Sequence, residues 1–280
     1  MSKSNNIIVS IIVPTYNYAN YLPECLDSVK TQSFKNWECI IIDNGSIDNT
    51  KEVVQKYVSE DARFKYLFTE NKGVSRARNL GIKSSTGEFI LPLDADDKIH
   101  SDILQMEVEQ HQKNKDLTLV YSEAELFGNS SGKWNLPEYF FKELLVENSI
   151  FCTAMYKRVD FDRVGGYNEN MHEGFEDWDF WIALLQNNAK VYKVPEVLFY
   201  YRIRTNTRNS VLDKEKQLRL RNTIYSNHKA VYDQYFAAPD LIFDKYLMNT
   251  KLNSLEGSKD YKVGKKLLSP LRFIKSLFGK

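Results

Sequence analysis

The first half of the chain alternates short apolar, β-branched runs with segments whose apolar residues recur at helical spacing. That alternation predicts an α/β fold. Strands are expected at residues 7–13, 38–43, 64–68, 88–93 and 117–122. Between the first two, Leu22, Cys25, Leu26 and Val29 share one helical face, and Pro23 suits a first turn. Asp48 is expected to cap a second helix whose buried face opens with Val53, Val54 and Tyr57. Pro92 has no N–H to give a central ladder, so a strand end or bulge is expected there.

The second half is less regular. Residues 150–156 and 191–203 read as strands, the latter interrupted at Pro195, and Trp178, Trp181, Ile182 and Leu185 share a helical face between them. From about residue 211 onward the pattern is helical and more polar. No internal repeat or low-complexity linker divides the chain.

Composition narrows the classes. At 280 residues there is room for one large domain, or one domain with an appendage. A net charge of +1 gives no electrostatic reason to expect a nucleic acid partner. The cysteines, Cys25, Cys39 and Cys152, form no zinc-binding spacing or disulfide framework, which fits a reducing, cytoplasmic setting. The apolar run at residues 7–13 is too short for a membrane span and lacks a signal-peptide cleavage site, so a soluble chain is expected.

The sharpest chemistry sits in Leu93-Asp94-Ala95-Asp96-Asp97, three carboxylates directly after an apolar strand. They repel one another unless a cation or water intervenes, and hard ions such as Mg²⁺ or Mn²⁺ share carboxylate ligands with substrate phosphates. A lone motif of this kind equally suits an acidic turn, so its context decides. Pro14-Thr15-Tyr16-Asn17 and Asp43-Asn44-Gly45-Ser46 also follow strands, and in open α/β sheets ligands bind where strand carboxyl ends converge. Arg76 and Arg78 make a basic segment just upstream of the acids, suited to a diphosphate or to a solvated surface helix. Gly165-Gly166 permits a tight loop, and Glu176-Asp177-Trp178-Asp179 places acids where a helix dipole favours them, with or without catalysis.

In this order, the motifs resemble family 2 glycosyltransferases of the GT-A fold, over residues 8–209. The resemblance implies a Rossmann-like nucleotide-binding half with a mixed central sheet flanked by helices, plus a C-terminal helical extension. Residues 1–210 would form the catalytic domain, with a donor half to about 98 and an acceptor half beyond it, and residues 211–280 the extension. It implies that Pro14, Thr15, Tyr16, Asp43 and Asn44 line the base and ribose pocket and that Arg78 lies near the diphosphate. Asp94 and Ala95 belong to the donor site, with Asp96, helped by Asp94, holding Mn²⁺ or Mg²⁺. Asp177 would be the catalytic base, and Gly165, Gly166, Glu176 and Trp178 would stand on the acceptor side. The implied reaction is inverting transfer of one sugar from a nucleotide sugar, UDP-linked by preference, to a glycan or lipid-linked acceptor in cell-surface polysaccharide synthesis.

Two departures stand out. Asn44 replaces a second aspartate common in the family, so the expected carboxylate contact to the base is weakened. Arg204 stands where members often carry a histidine near the metal; it cannot ligate a metal but can pair with phosphate. The QxxRW pattern of processive members is absent, which favours single additions.

Rival readings fare worse. A pyrophosphorylase wants a glycine-rich basic first loop, which residues 14–20 lack, and Lys98 stands where an aspartyl phosphohydrolase would want Thr or Val. A non-catalytic nucleotide-sugar-binding subunit remains the alternative. Residues 265–278 repeat leucines at helical spacing beside lysines, which suits an anionic membrane surface or docking on protein.

Overall fold

The computed structural model describes residues 8–70, 73–204, 214–236 and Ser258. The predicted tail helix at residues 265–278 lies outside them.

Strands β1 (Val9–Thr15) and β2 (Trp37–Asp43) are buried at every position, as continuous β-branched runs covered on both faces must be. They pair in parallel from Val9 opposite Trp37 to Thr15 opposite Asp43. β3 (Phe64–Phe68) extends the sheet beyond β2, and β4 (Phe89–Pro92) lies parallel to β1 on its other side. Helices α1 (Leu22–Lys30), α2 (Thr50–Glu60) and α3 (Val74–Lys83) make the three crossovers. α1 buries the predicted Leu22, Cys25, Leu26 and Val29, with Pro23 in its first turn. α3 approaches the sheet closely through Gly81, where a Cβ would stand 2.4 Å from Ile42 Cδ1.

After β4 the sheet changes character. β5 (Lys98–Ile99), α4 (Ile103–Lys113) and the long β6 (Leu117–Gly128) lead into a hairpin with β7 (Gly132–Trp134). Then follow α5 (Phe141–Leu144), β8 (Met155–Lys157), α6 (Arg158–Val164), α7 (Glu176–Leu185) and β9 (Lys190–Ile203). The order across the mixed sheet is β3-β2-β1-β4-β8-β6-β9-β5, with β7 on β6. α8 (Lys214–Asn227) and α9 (Lys229–Tyr235) bury Leu220, Ile224 and Tyr232, and Tyr232 donates to the Leu145 carbonyl at 2.8 Å.

The structure adjusts several elements. Pro92 ends its strand, as a residue without a donor should. Pro195 falls at a register shift, since Ser122 pairs with Val194 and Glu123 with Val197, so a bulge carries it within one strand. The strand expected at 150–156 survives only as β8; Ile150 and Phe151 are buried, but in irregular chain that faces a cleft rather than a neighbouring strand. Asp48 lies one residue before the α2 cap position, Asn49. Its carboxylate accepts from the Thr50 N–H at 3.1 Å and the Ala19 N–H at 3.0 Å, joining two loops.

Candidate active site

The carboxyl ends of β1, β2 and β4 open on a cleft of about 890 Å³. Two arginines, one buried and one partly buried, organise its acids. Arg78 comes from α3, is 1% exposed, and donates to Asp94 Oδ1 at 2.6 Å and Glu176 Oε1 at 2.9 Å. It thereby ties the loop after β4 to the first turn of α7. Burial opposes its charge, but the two carboxylates more than compensate and hold it protonated.

Arg204, just beyond β9, faces Asp96 with Nε 2.9 Å from Oδ2, while its Nη2 donates to the Tyr18 hydroxyl at 2.6 Å. The Nε contact is an ion pair without hydrogen-bond alignment, since that N–H has no hydrogen-bond partner. The guanidinium also sits over the rings of Tyr18 and Tyr21, at 4.7 and 5.2 Å. Burial and the nearby Asp94 push the Asp96 carboxyl up to about 6, against the pull of Arg204.

Asp97 points away from this pair and fixes the loop. It is 1% exposed and accepts the Arg202 backbone N–H at 2.8 Å, and Arg202 Nε donates to the Asp96 carbonyl at 2.7 Å. Burial, then the other two acids, push the Asp97 carboxyl well above its ordinary range. The third acid of the motif is structural.

Asp177 stands in the first turn of α7, where the unpaired backbone N–H groups favour negative charge. Its Oδ2 accepts from Asn148 Nδ2 at 3.2 Å. Burial, then Glu176, push its carboxyl up to about 6, with Arg78 opposing. The preceding Phe175 is held at φ 59°, a left-handed conformation unusual for an aromatic residue, and it lines the cleft.

The first two loops brace each other. The Asn17 N–H donates to Ser46 Oγ at 2.9 Å, and the Ile47 N–H donates to Asn17 Oδ1 at 2.8 Å. Asp43 accepts the Ser46 N–H and the Tyr66 hydroxyl, both at 2.8 Å.

Of the residues predicted for the site, Pro14, Thr15, Tyr16, Asn44, Arg78, Asp94, Ala95, Asp96, Glu176, Asp177 and Arg204 all line the cleft. Asp43, Gly165, Gly166 and Trp178 are not among its lining residues. Gly165 caps α6 at φ 83°, and Gly166 follows at φ 87°, where a Cβ would stand 2.8 Å from Asn79 Oδ1. Trp178 is buried, with Nε1 donating to the Leu144 carbonyl at 2.6 Å. Sequence reasoning missed Tyr18, Asn148, Phe175 and a group of aromatic lining residues, Trp134, Phe151 and Tyr201. Of these, Tyr201, directly before Arg202, and Phe175, directly before Glu176, carried a sequence signal, since each adjoins a motif residue.

Among the described residues no three His, Cys, Asp or Glu side chains gather as a ready-made metal cage. Asp96 and Asp94 nonetheless fit a Mg²⁺ or Mn²⁺ ion that takes one or two carboxylates and draws its remaining ligands from water and phosphate. The raised Asp96 carboxyl marks a place where negative charge is crowded and a cation would relieve it.

Comparison with known proteins agrees with this geometry. Residues 10–166, more than half of the chain, match the family described as Glycosyl transferase family 2. Glycosyltransferase GlyA of Streptococcus pneumoniae is 32% identical over 188 residues, covering 66% of this chain and 24% of GlyA. An uncharacterized glycosyltransferase of Rickettsia typhi is 30% identical over 221 residues, covering 74% of this chain and 68% of that one. The chain therefore spans about a quarter of GlyA and about two thirds of the rickettsial protein. Among solved structures, S. aureus TarS 1–349 in complex with UDP-GlcNAc superposes with a TM-score of 0.68 at 21% identity, covering 86% of this chain and 71% of that one. The mannosyltransferase PcManGT of Pyrobaculum calidifontis, in complex with GDP-Man and Mn²⁺, gives 0.59 at 19% identity, covering 97% of this chain and 87% of that one. The fold is the GT-A fold, and the chain belongs to glycosyl transferase family 2.

Proposed function

We propose that this glycosyltransferase moves a single sugar from a nucleotide sugar to a hydroxyl of a glycan or lipid-linked acceptor, with inversion and with a divalent metal. The observation that carries the reading is the meeting of Asp96, Arg204, Arg78 and Asp177 in one cleft at the carboxyl ends of the parallel strands.

The donor's base and ribose would rest on Pro14, Thr15, Tyr16 and Asn44, with the diphosphate toward Asp94 and Asp96. A bound Mn²⁺ or Mg²⁺ would supply Lewis-acid stabilisation of the departing nucleoside diphosphate. Asp96, assisted by Asp94, would hold it. Arg204 then has no further need of Asp96 and can pair with a phosphate oxygen, which its unaligned contact permits. Arg78 keeps Asp94 and Glu176 in place. Asp177 takes the proton of the acceptor hydroxyl, and its carboxyl near 6 makes it both ionised at neutral pH and more basic than a free aspartate.

UDP and GDP sugars occupy the two solved relatives, and Asn44 offers the base an amide in place of a carboxylate. We favour a UDP-sugar. The setting we favour is cell-surface polysaccharide synthesis on the cytoplasmic side. Chondroitin synthase of Pasteurella multocida, 28% identical over 219 residues that make up 22% of its length, is named for the synthesis of a polysaccharide, which supports this reading. No helix among the described residues is long and apolar enough to cross a membrane.

Asp177→Asn is expected to lower transfer about 10²–10⁴-fold while thermal stabilisation by UDP-sugar and Mn²⁺ persists. Undiminished turnover in that variant would remove Asp177 from the mechanism. A screen of nucleotide sugars by thermal shift, with and without Mn²⁺, identifies the base, and no stabilisation by any of them would refute the donor assignment.

A further inference from the structure

The cleft lining includes two unlike sets of side chains, the acids Asp94, Asp96, Glu176 and Asp177 and the rings of Trp134, Phe151 and Tyr201. Trp134, at the end of β7, lies 4.6 Å from the Tyr201 ring at 36° and 5.9 Å from the Phe151 ring at 29°. Phe151 in turn packs on the buried Phe199 at 4.6 Å and 35°. Two layers of rings thus back the indole from the core, while Trp134 and Tyr201 themselves are only partly buried and line the cleft. A tryptophan on a short hairpin, supported from behind and open in front, has no structural need to face a polar cavity.

Asn148 links the two sets. Its amide donates to Asp177 Oδ2 at 3.2 Å, and its Oδ1 accepts the Ile150 N–H at 3.2 Å, one residue before Phe151.

We infer that Trp134, backed by Tyr201 and Phe151, is a stacking platform for a pyranose ring of the acceptor, so that the acceptor is recognised as a saccharide. This rests on the glycosyltransferase reading above. A pyranose has one face of C–H groups and a rim of hydroxyls, which matches an aromatic surface bordered by carboxylates and an amide. An alkyl or polyprenyl chain does not match, because filling the same space would strip water from four acids without giving them partners.

Trp37, Trp178 and Trp181 are at most 2% exposed, so Trp134 is the tryptophan whose emission an incoming ring can change. The test titrates the full chain, with UDP and Mn²⁺ present, with methyl glycosides of glucose, galactose, N-acetylglucosamine, N-acetylgalactosamine and mannose. A saturable emission change with at least one of them, lost in Trp134→Tyr, is expected. With that glycoside as acceptor, Trp134→Ala should lower kcat/KM about tenfold through KM, and Trp134→Tyr should recover most of the loss. A fall confined to kcat, or no rescue by Tyr, would reduce Trp134 to a structural role. If UDP stabilises the protein but no glycoside perturbs the emission, or if only decanol does, the platform is refuted and the transferase reading stands. If no nucleoside diphosphate or nucleotide sugar binds at all, that earlier reading fails instead. Should the Ala variant not fold, the emission titration of the unaltered chain still decides.

Discussion

Arg78 and Arg204 each neutralise one acid of the same three-residue motif, yet they are built for opposite purposes. Arg78 is sealed in the interior, with two nitrogens aimed at two carboxylates from different elements. Arg204 sits at the cleft edge, holds Asp96 through an unaligned contact, and rests on tyrosine rings. The first arrangement resists exchange, and the second invites it. The proposed metal-binding acids would thus have one counter-ion that fixes shape and another that can be traded for metal and phosphate.

Substitution separates the two most sharply. Arg78→Met removes the guanidinium shared by the largely buried Glu176 and the partly exposed Asp94, and loss of a buried charge's partner costs up to about 3–5 kcal/mol. A large fall in the urea midpoint, with inactivity, is the expected outcome; a near-native midpoint would show that water already serves these acids. Asp96→Asn should leave the fold intact and reduce Mn²⁺-dependent transfer at least about tenfold, since it removes the proposed principal metal ligand. Metal titration by thermal shift in the presence of UDP checks it, and unchanged Mn²⁺ affinity would move the metal elsewhere.

The acid limb of the pH profile offers a subtler contrast. Asp177 must be ionised to accept a proton, so kcat/KM should fall as pH drops through about 6. Arg78 holds that carboxyl down, so a folded Arg78→Gln protein should show the limb at higher pH, while Arg204→Gln should leave it in place. Because the folded carboxyl sits above its unfolded value, the native state binds the extra proton between about pH 4 and 6. Asp177 therefore favours the folded state below that window and loses this contribution as pH rises through it. Asp177→Asn should flatten that part of the stability curve.

The smallest effect is expected for Arg204→Ala on stability, within about 1 kcal/mol, as for ion pairs near a surface. Its donor KM should nevertheless rise severalfold. A destabilisation as large as that of Arg78→Met would erase the distinction between the two arginines.

The same division runs through what the sequence revealed. The parallel half was readable because strands buried on both faces must be unbroken apolar runs, and the polar residues that follow them mark the cleft. Asn44, Asp94 and Asp96 were located this way, and all line it. Asp43 was grouped with them because it ends the same strand, yet its carboxylate is absorbed by the Ser46 N–H and the Tyr66 hydroxyl. Periodicity cannot tell a ligand-facing acid from one that folds its own loop. Trp178 and Trp134 show the converse. A tryptophan inside a motif is packed in the interior, and one in an unpatterned polar stretch faces the cavity, because a three-residue strand is too short to announce which way its side chains turn.

Asp97 receives its backbone hydrogen bond from a residue 105 positions later, on the last strand of the sheet. As the polypeptide leaves the ribosome, the acids emerge long before the strand that restrains them. A nascent chain halted ahead of β9 would carry the acids without Arg202 and Arg204, which restrain them, so the proposed donor cradle is complete only once that strand has been made.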